Sequence, residues 1–414
     1  MTSPVRSTGS AFSASSSSRP VLDRSIVRLA FLIPGGIALL LGLDAALLLL
    51  GLQAPLTLER LPQLHAPLMV FGFVGTFIVL ERAVAARRWW GFLAPALLAL
   101  GSLVMLSPLP VEVGKSMLIV GMAALLGIYF VVWRRQAAAA TAIQVLGALS
   151  GLSATVLWLS GTAVASLVPG MVSFLVLTIA GERLELARIS PLVTIGVERL
   201  GLGVAIALAA AASLSPLWPA VAYPLLSLSL IALVAWLFRF DVAMRLVRST
   251  GLPRYMAACL LSGYIWLLVA AGIWLFMGRV ESGWAYDAVV HSVFLGFVIS
   301  MIMAHAPVIL PAVLRKPLPY RPFLGIPVLL LHVSIILRVV GDLRELPVAV
   351  QWGGALNETA LLLFVVLAIM SVIMGPPKKN PLKRAPGAAS ALRLAQAARQ
   401  AEEPGTTTPE SPAQ

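Results

Sequence analysis

Long apolar runs separated by short polar segments occupy the sequence from residue 26 to residue 374. Most of these runs reach roughly 18 residues or more with few charges, the length that crosses a bilayer as a helix. The fold class is therefore predicted to be all-α, a polytopic membrane protein. We place twelve spans, at Ile26–Leu49, His65–Ala86, Trp90–Leu106, Ser116–Trp133, Ala137–Ser160, Ala163–Gly181, Leu192–Leu214, Trp218–Phe238, Tyr255–Met277, Tyr286–Leu310, Phe323–Val340 and Val350–Met374.

The two ends of the chain lack this pattern. Residues 1–24 are rich in serine, and residues 376–414 are basic, interrupted by proline and polar toward the end. Segments of low hydrophobicity do not bury enough apolar surface to fold. We predict disordered tails at 1–24 and 376–414, on either side of one integral membrane domain at 25–375.

Composition and charge agree with a membrane location. The chain is 59% hydrophobic, and its mean hydropathy of +0.95 excludes a water-soluble protein. A net charge of +13 in a soluble protein would suggest nucleic acid, but here the basic residues follow the positive-inside rule. With both termini cytoplasmic, the outer loops hold only Arg60, Lys115, Arg279 and Arg344 of the 30 lysines and arginines. This distribution predicts a multi-pass protein of the bacterial inner membrane, with lipid and not nucleic acid as its partner.

A short internal repeat links the second, sixth and tenth spans. Aligning Gly72–Val74 with Gly296–Val298 places Glu81 opposite His305, and the sixth span ends in a matching Glu182. Spans spaced by four helices in this way predict a threefold pseudo-repeat. The Glu–Arg pairs that end the second and sixth spans are typical of anchors at the membrane surface.

All four histidines, His65, His291, His305 and His332, lie in predicted spans. Ionisable side chains are costly in hydrocarbon, so their positions indicate a function. The predicted topology places them in two pairs of similar depth, His65 with His291 near the outer face and His305 with His332 further in. A neutral imidazole offers a lone pair to iron or copper, and two facing imidazoles can ligate a haem. The alternative for each histidine is a hydrogen bond to a neighbouring carbonyl group.

Other charged residues also lie within spans. Arg338 and Asp342 are four residues apart, the spacing of an ion pair on one helix face, although Arg338 is also suited to contact an anionic group such as a haem propionate. Asp44 and Glu358 are candidates for a proton route or for a polar contact between helices. The single cysteine, Cys259, excludes an intramolecular disulfide and a cysteine-rich metal site.

Two motifs resemble those of the NnrS family. The second span begins HAPLMVFGFVG, and the tenth and eleventh contain HSVFLGFVISMIMAHAPVILPAVL and LHVSIILRVVGDL. NnrS proteins are haem- and copper-containing membrane proteins linked to nitric oxide and denitrification. The resemblance implies a haem of the b type, copper as a further metal, and nitric oxide or another small molecule as a ligand. It implies His65, His291, His305 and His332 as the ligands of the haem or metal.

Two functions from different classes therefore stay open. One is a haem-binding inner-membrane protein of the NnrS type that acts in the nitric oxide or nitrosative-stress response or in metal handling; whether it catalyses a reaction is left open. The other is a proton-coupled secondary transporter that uses intramembrane histidine, aspartate and glutamate without a cofactor. A structural subunit without a site of its own is a third interpretation.

Overall fold

The computed structural model describes residues 25–188, 190–314 and 316–376, and within them the protein is built from helices without any strand. The tails predicted at 1–24 and 376–414 lie outside the described residues, apart from Pro376. The long helices are α1 Ser25–Leu49, α2 Pro62–Ala86, α3 Trp89–Val104, α4 Val111–Arg135, α5 Ala139–Leu159, α6 Val164–Ala187, α7 Ile195–Leu214, α8 Pro219–Phe240, α9 Leu252–Met277, α10 with consecutive segments Gly283–His291, Ser292–Ile299 and Ser300–Leu314, α11 Gly325–Leu343 and α12 Pro347–Met374.

Eleven of these helices are long and apolar enough to cross a membrane, and α3 is a shorter apolar helix at the position of the third predicted span. The prediction of an all-α polytopic membrane protein is therefore confirmed. A one-turn helix at Ala243–Leu246 lies between α8 and α9 and was not predicted. Proline occurs in the first turn of α8, α9 and α12, where its missing N–H needs no partner.

Helices α2 and α10 share an uncommon backbone feature. Each contains an eight-residue π-helical segment, Leu68–Gly75 in α2 and Ser292–Ile299 in α10. The sequence alignment of Gly72 with Gly296 superimposes these two segments end to end. Because π-helical turns are rare, their matching positions support the repeat between the second and tenth spans. Helix α6, the third member of the predicted repeat, is α-helical throughout.

The three helices of the predicted repeat also form the centre of the bundle. In the most apolar window of α6, 83% of residues are buried, compared with 61% in α2 and in α10 and less in every other spanning helix described. Phe71 of α2 stacks on Phe174 of α6 with ring centroids 6.2 Å apart. The other helices surround this centre and expose many large apolar side chains, as expected for surfaces that face lipid.

Helices α11 and α12 approach each other so closely that Gly353 leaves no space for a side chain. A Cβ atom at Gly353 would lie 2.8 Å from the backbone N and Cα atoms of Arg338. We expect Gly353→Ala to push the helices apart and to destabilise the protein by roughly 1–3 kcal/mol, as overpacking usually does. Thermal unfolding in detergent should show a lower midpoint.

The matched control is Gly272→Ala on α9, where a Cβ atom would meet nothing within 4 Å. Alanine favours a helix over glycine by up to about 1 kcal/mol, so this variant should unfold at an equal or higher temperature. Equal losses of stability in the two variants would contradict the proposed steric cause.

Candidate functional site

Two of the predicted ligands, His65 and His291, line one cavity between α1, α2, α10, α11 and α12. His65 lies at the start of α2, and its Nδ1 is 2.9 Å from the carbonyl oxygen of Gly42 on α1. His291 ends the first segment of α10, and its Nδ1 is 2.8 Å from the carbonyl oxygen of Asp287. We call this space the outer cavity, after the predicted topology.

These hydrogen bonds determine which ring nitrogen of each histidine carries the proton and which one keeps a lone pair. A carbonyl oxygen only accepts, so Nδ1 carries the proton in both His65 and His291. In the neutral ring the lone pair is then on Nε2. Metal-binding histidines in proteins usually donate their other N–H to a carbonyl or carboxylate in this way. The two imidazoles are therefore protonated at Nδ1, as metal ligands usually are, although this hydrogen bond is also the alternative predicted for each histidine.

Asp287 and Arg338 hold His291 in place. Arg338 of α11 donates from Nε and Nη2 to the two carboxylate oxygens of Asp287, at 2.7 and 2.8 Å. The same carboxylate lies 3.2 Å from Nδ1 of His291. The expectation that Arg338 pairs with Asp342 is wrong, because the Asp287 carboxylate on α10 takes two of its nitrogens. Asp287 was not predicted as a site residue.

Two buried polar residues of α12 complete the outer cavity. Asn357 is 3% exposed and accepts a hydrogen bond from Ser334 through Oδ1, but its Nδ2 has no partner in the described part of the chain. Glu358 is 9% exposed, and its Oε1 likewise has none. Unpartnered buried polar atoms are uncommon and suggest a site for a ligand or for water. Glu358 was predicted as a polar residue between helices, whereas Asn357 was not predicted.

The two π-helical segments adjoin the outer cavity. The segment in α10 begins directly after His291, and the segment in α2 begins three residues after His65. Their first turns contribute Met69, Phe294 and Leu295 to the cavity wall. Single π-helical turns occur frequently at functional sites in proteins.

His305 and His332, the second predicted pair, share no hydrogen-bond partner among the described residues. Nδ1 of His305 donates to the Met301 carbonyl oxygen at 2.8 Å, and Nε2 accepts from Arg183 at 3.2 Å. Nδ1 of His332 accepts from Trp266 at 3.0 Å, so Nε2 is protonated and lies 3.3 Å from Ser300 Oγ. Both nitrogens of each ring are engaged, which leaves neither histidine with a lone pair for a metal in this arrangement.

His305 instead belongs to a buried polar network. Arg183 of α6 donates from Nε and Nη2 to both oxygens of Asp241, each at 2.7 Å, and Tyr264 of α9 donates to the same carboxylate at 2.8 Å. Burial alone would raise the pKa of Asp241, which follows the end of α8, but the hydrogen bonds and charge of Arg183 lower it below its ordinary value. The side chains of Arg183 and Asp241 are only 3% and 1% exposed. The expectation that Arg183 is an anchor at the membrane surface is therefore wrong.

The three equivalent positions of the predicted repeat, Glu81, Glu182 and His305, line a second and larger cavity. We call it the inner cavity; its volume is about 530 Å³, and its other walls are apolar side chains of α1, α2, α6, α10 and α12. Nη2 of Arg82 bridges Glu81 and Glu182, at 3.0 Å from an oxygen of each. The positions that the sequence repeat aligned therefore meet in space.

A family model described as a domain of unknown function, DUF8744, matches residues 28–373. The chain belongs to this family. No curated protein matches the chain. The matched range includes all four histidines and both cavities.

Proposed function

We propose that this DUF8744 protein is a haem-binding membrane protein of the NnrS type, in which His65 and His291 would hold the iron. The observation that carries the proposal is that two imidazoles from α2 and α10 line one cavity with their Nδ1–H groups donated to carbonyl oxygens. The resemblance to NnrS extends the proposal to the nitric oxide or nitrosative-stress response, or to metal handling.

The number of donors favours haem over a metal ion alone. In the part of the chain that the structure describes, no group of three or more His, Cys, Asp or Glu side chains is arranged to hold a metal. A haem needs only one or two ligands from the protein, because the macrocycle provides four nitrogens. A copper ion held by protein side chains is usually bound by at least three. Two histidines therefore match the number of protein ligands that a haem would need.

The outer cavity has a volume of about 70 Å³, below the range of about 300–1,000 Å³ typical of cofactor sites. Haem binding would therefore require the helices of its wall to move apart. Arg338 also lines the cavity, and Asp287 takes only its Nε and Nη2. Its Nη1 is thus the group that we propose to contact a propionate.

Bound haem iron would supply electron transfer or small-ligand chemistry, and the protein controls its electronics. In this proposal His65 and His291 bind the iron, while Gly42 and Asp287 orient the two rings through Nδ1. The carboxylate of Asp287 makes the His291 ring more electron-rich, as hydrogen-bonded ligands generally are. Asn357 and Glu358 provide polar groups beside the ligands in an otherwise apolar wall.

The test is the visible spectrum of the purified full-length protein from haem-supplied bacterial cells, oxidised and then reduced with dithionite. We expect a Soret band, sharp α and β bands on reduction, and iron but little copper in metal analysis. If metal analysis finds copper and the spectrum has no Soret band, the haem proposal is overturned in favour of a copper site. A colourless, metal-free protein would overturn both and would favour the proton-coupled transporter.

A further inference from the structure

We propose that the inner cavity binds an amphipathic organic cation, a molecule with an apolar body and one positive charge at its head. This inference does not depend on the haem proposal, because it concerns different residues at the other end of α2 and α10. It rests on the shape of the cavity, its access from lipid and the charge at its polar end.

The cavity accommodates an organic molecule with a large apolar body. Its volume of about 530 Å³ is within the range for small-molecule sites. Several side chains of its wall are also open to the membrane, including Ile33 and Leu40 of α1 and Ile369 of α12, which are 55%, 54% and 55% exposed. A ligand can therefore enter sideways between α1 and α12 from the lipid.

The polar end of the cavity has two carboxyl groups and one guanidinium group. Glu81 and Glu182 share Arg82, so the three side chains sum to one negative charge when both carboxyls are ionised, the form that a bound cation favours, and to zero when the two carboxyls share a proton. Arg183 does not compensate this negative charge, because Asp241 already pairs with the guanidinium group of Arg183. His305 contributes no charge, since its Nε2 accepts a hydrogen bond.

An unpaired carboxylate in a membrane domain is costly unless a positive group lies beside it. A cationic head supplies that group, whereas the anionic head of a fatty acid or a phospholipid would be repelled. Phe77 lies one helical turn before Glu81 and lines the same cavity, as does Phe73, whose ring centroid is 5.2 Å from that of Phe77. Aromatic faces attract organic cations, which adds to the charge complementarity.

The probe is tetraphenylphosphonium, a lipid-soluble cation, measured by equilibrium binding to the full-length protein in nanodiscs. We expect saturable binding of one cation per chain. Tetraphenylborate has the same shape and the opposite charge, and it should bind at least about tenfold more weakly, because charge selects the ligand. Equal binding of the two ions would overturn the proposal, as would the absence of saturable cation binding.

Two single variants test the residues. Either Glu81→Gln or Glu182→Gln makes the polar end neutral while leaving Arg82 one carboxylate partner, so each should weaken cation binding by roughly 10- to 100-fold. Glu185→Gln is the matched control, because Glu185 is exposed, lies on the same helix as Glu182 and does not line the cavity. Unchanged binding in both cavity variants would contradict the assignment.

A third variant tests the cavity without altering its charge. Gly36 of α1 lines the cavity, and a Cβ atom there would meet nothing within 4 Å. Gly36→Leu should therefore fold normally and reduce binding at least about tenfold by filling the space. Saturable binding of decylubiquinone, a neutral quinone, without any binding of the cation would make a neutral ring the ligand and overturn the proposal.

Discussion

Replacing His291 with alanine is expected to remove almost all haem from the purified protein. The proposed iron would lose one of two protein ligands, and the second, His65, would be left opposite an apolar wall. Removing a residue that only supports a metal ligand already costs roughly 10- to 100-fold in affinity. We therefore expect haem occupancy to fall by more than about tenfold in His291→Ala and in His65→Ala, measured as the ratio of Soret to protein absorbance.

The matched control is His332→Ala, another intramembrane histidine. Its ring is hydrogen-bonded to Trp266 and Ser300 and does not line the outer cavity. This variant should keep its haem and its reduced α band at the same wavelength. Loss of haem in His332→Ala together with its retention in His291→Ala would contradict the assignment of the outer pair. Asp287→Asn should give an intermediate result, because it weakens the support of His291 and leaves Arg338 unpaired.

The fold was largely predictable because the apolar runs of a membrane protein are long. The twelve predicted spans correspond to α1–α12, and the differences are a few residues at the ends. The π-helical turns were not predictable, since the stretch LMVFGFVG is apolar throughout and hydropathy does not distinguish α from π turns. The repeat between the second and tenth spans aligns these two segments, but it did not predict their π-helical turns.

The site was predictable only where topology alone decides proximity. His65 and His291 lie near the start of two spans that run in the same direction at the same predicted depth, and they line one cavity. His305 and His332 also lie at similar predicted depth, but their rings accept hydrogen bonds from Arg183 and Trp266. These contacts depend on the rotation of each helix about its own axis, which the sequence pattern does not specify.

The ion pairs show the same limit. The spacing of four residues that suggested a pair between Arg338 and Asp342 also links Asp287 to His291. Spacing identifies pairs only within one helix, whereas the packing of α10 against α11 brings Arg338 to Asp287. Asp241 carried no signal, because it follows a span in what the sequence presents as an ordinary polar loop.

Replacing Arg183 with methionine is expected to be among the most destabilising single changes in the protein. The side chain of Asp241 is 1% exposed and would lose both hydrogen bonds from Arg183, keeping only those from Tyr264 and the Ala243 N–H. Breaking a buried ion pair by removing one partner costs roughly 3–5 kcal/mol, because the other charge stays buried and unpaired. Thermal unfolding in detergent should show a large decrease in the midpoint for Arg183→Met.

The control is Arg279→Met, which breaks the ion pair with Glu281 where the two side chains are 40% and 33% exposed. An exposed pair contributes about 0–1 kcal/mol, so this midpoint should barely change. The double variant Arg183→Met/Asp241→Asn should lose less stability than the sum of its two single variants, because it leaves no buried charge unpaired. Strictly additive losses would mean that the two side chains stabilise the protein through packing and not through their mutual charge.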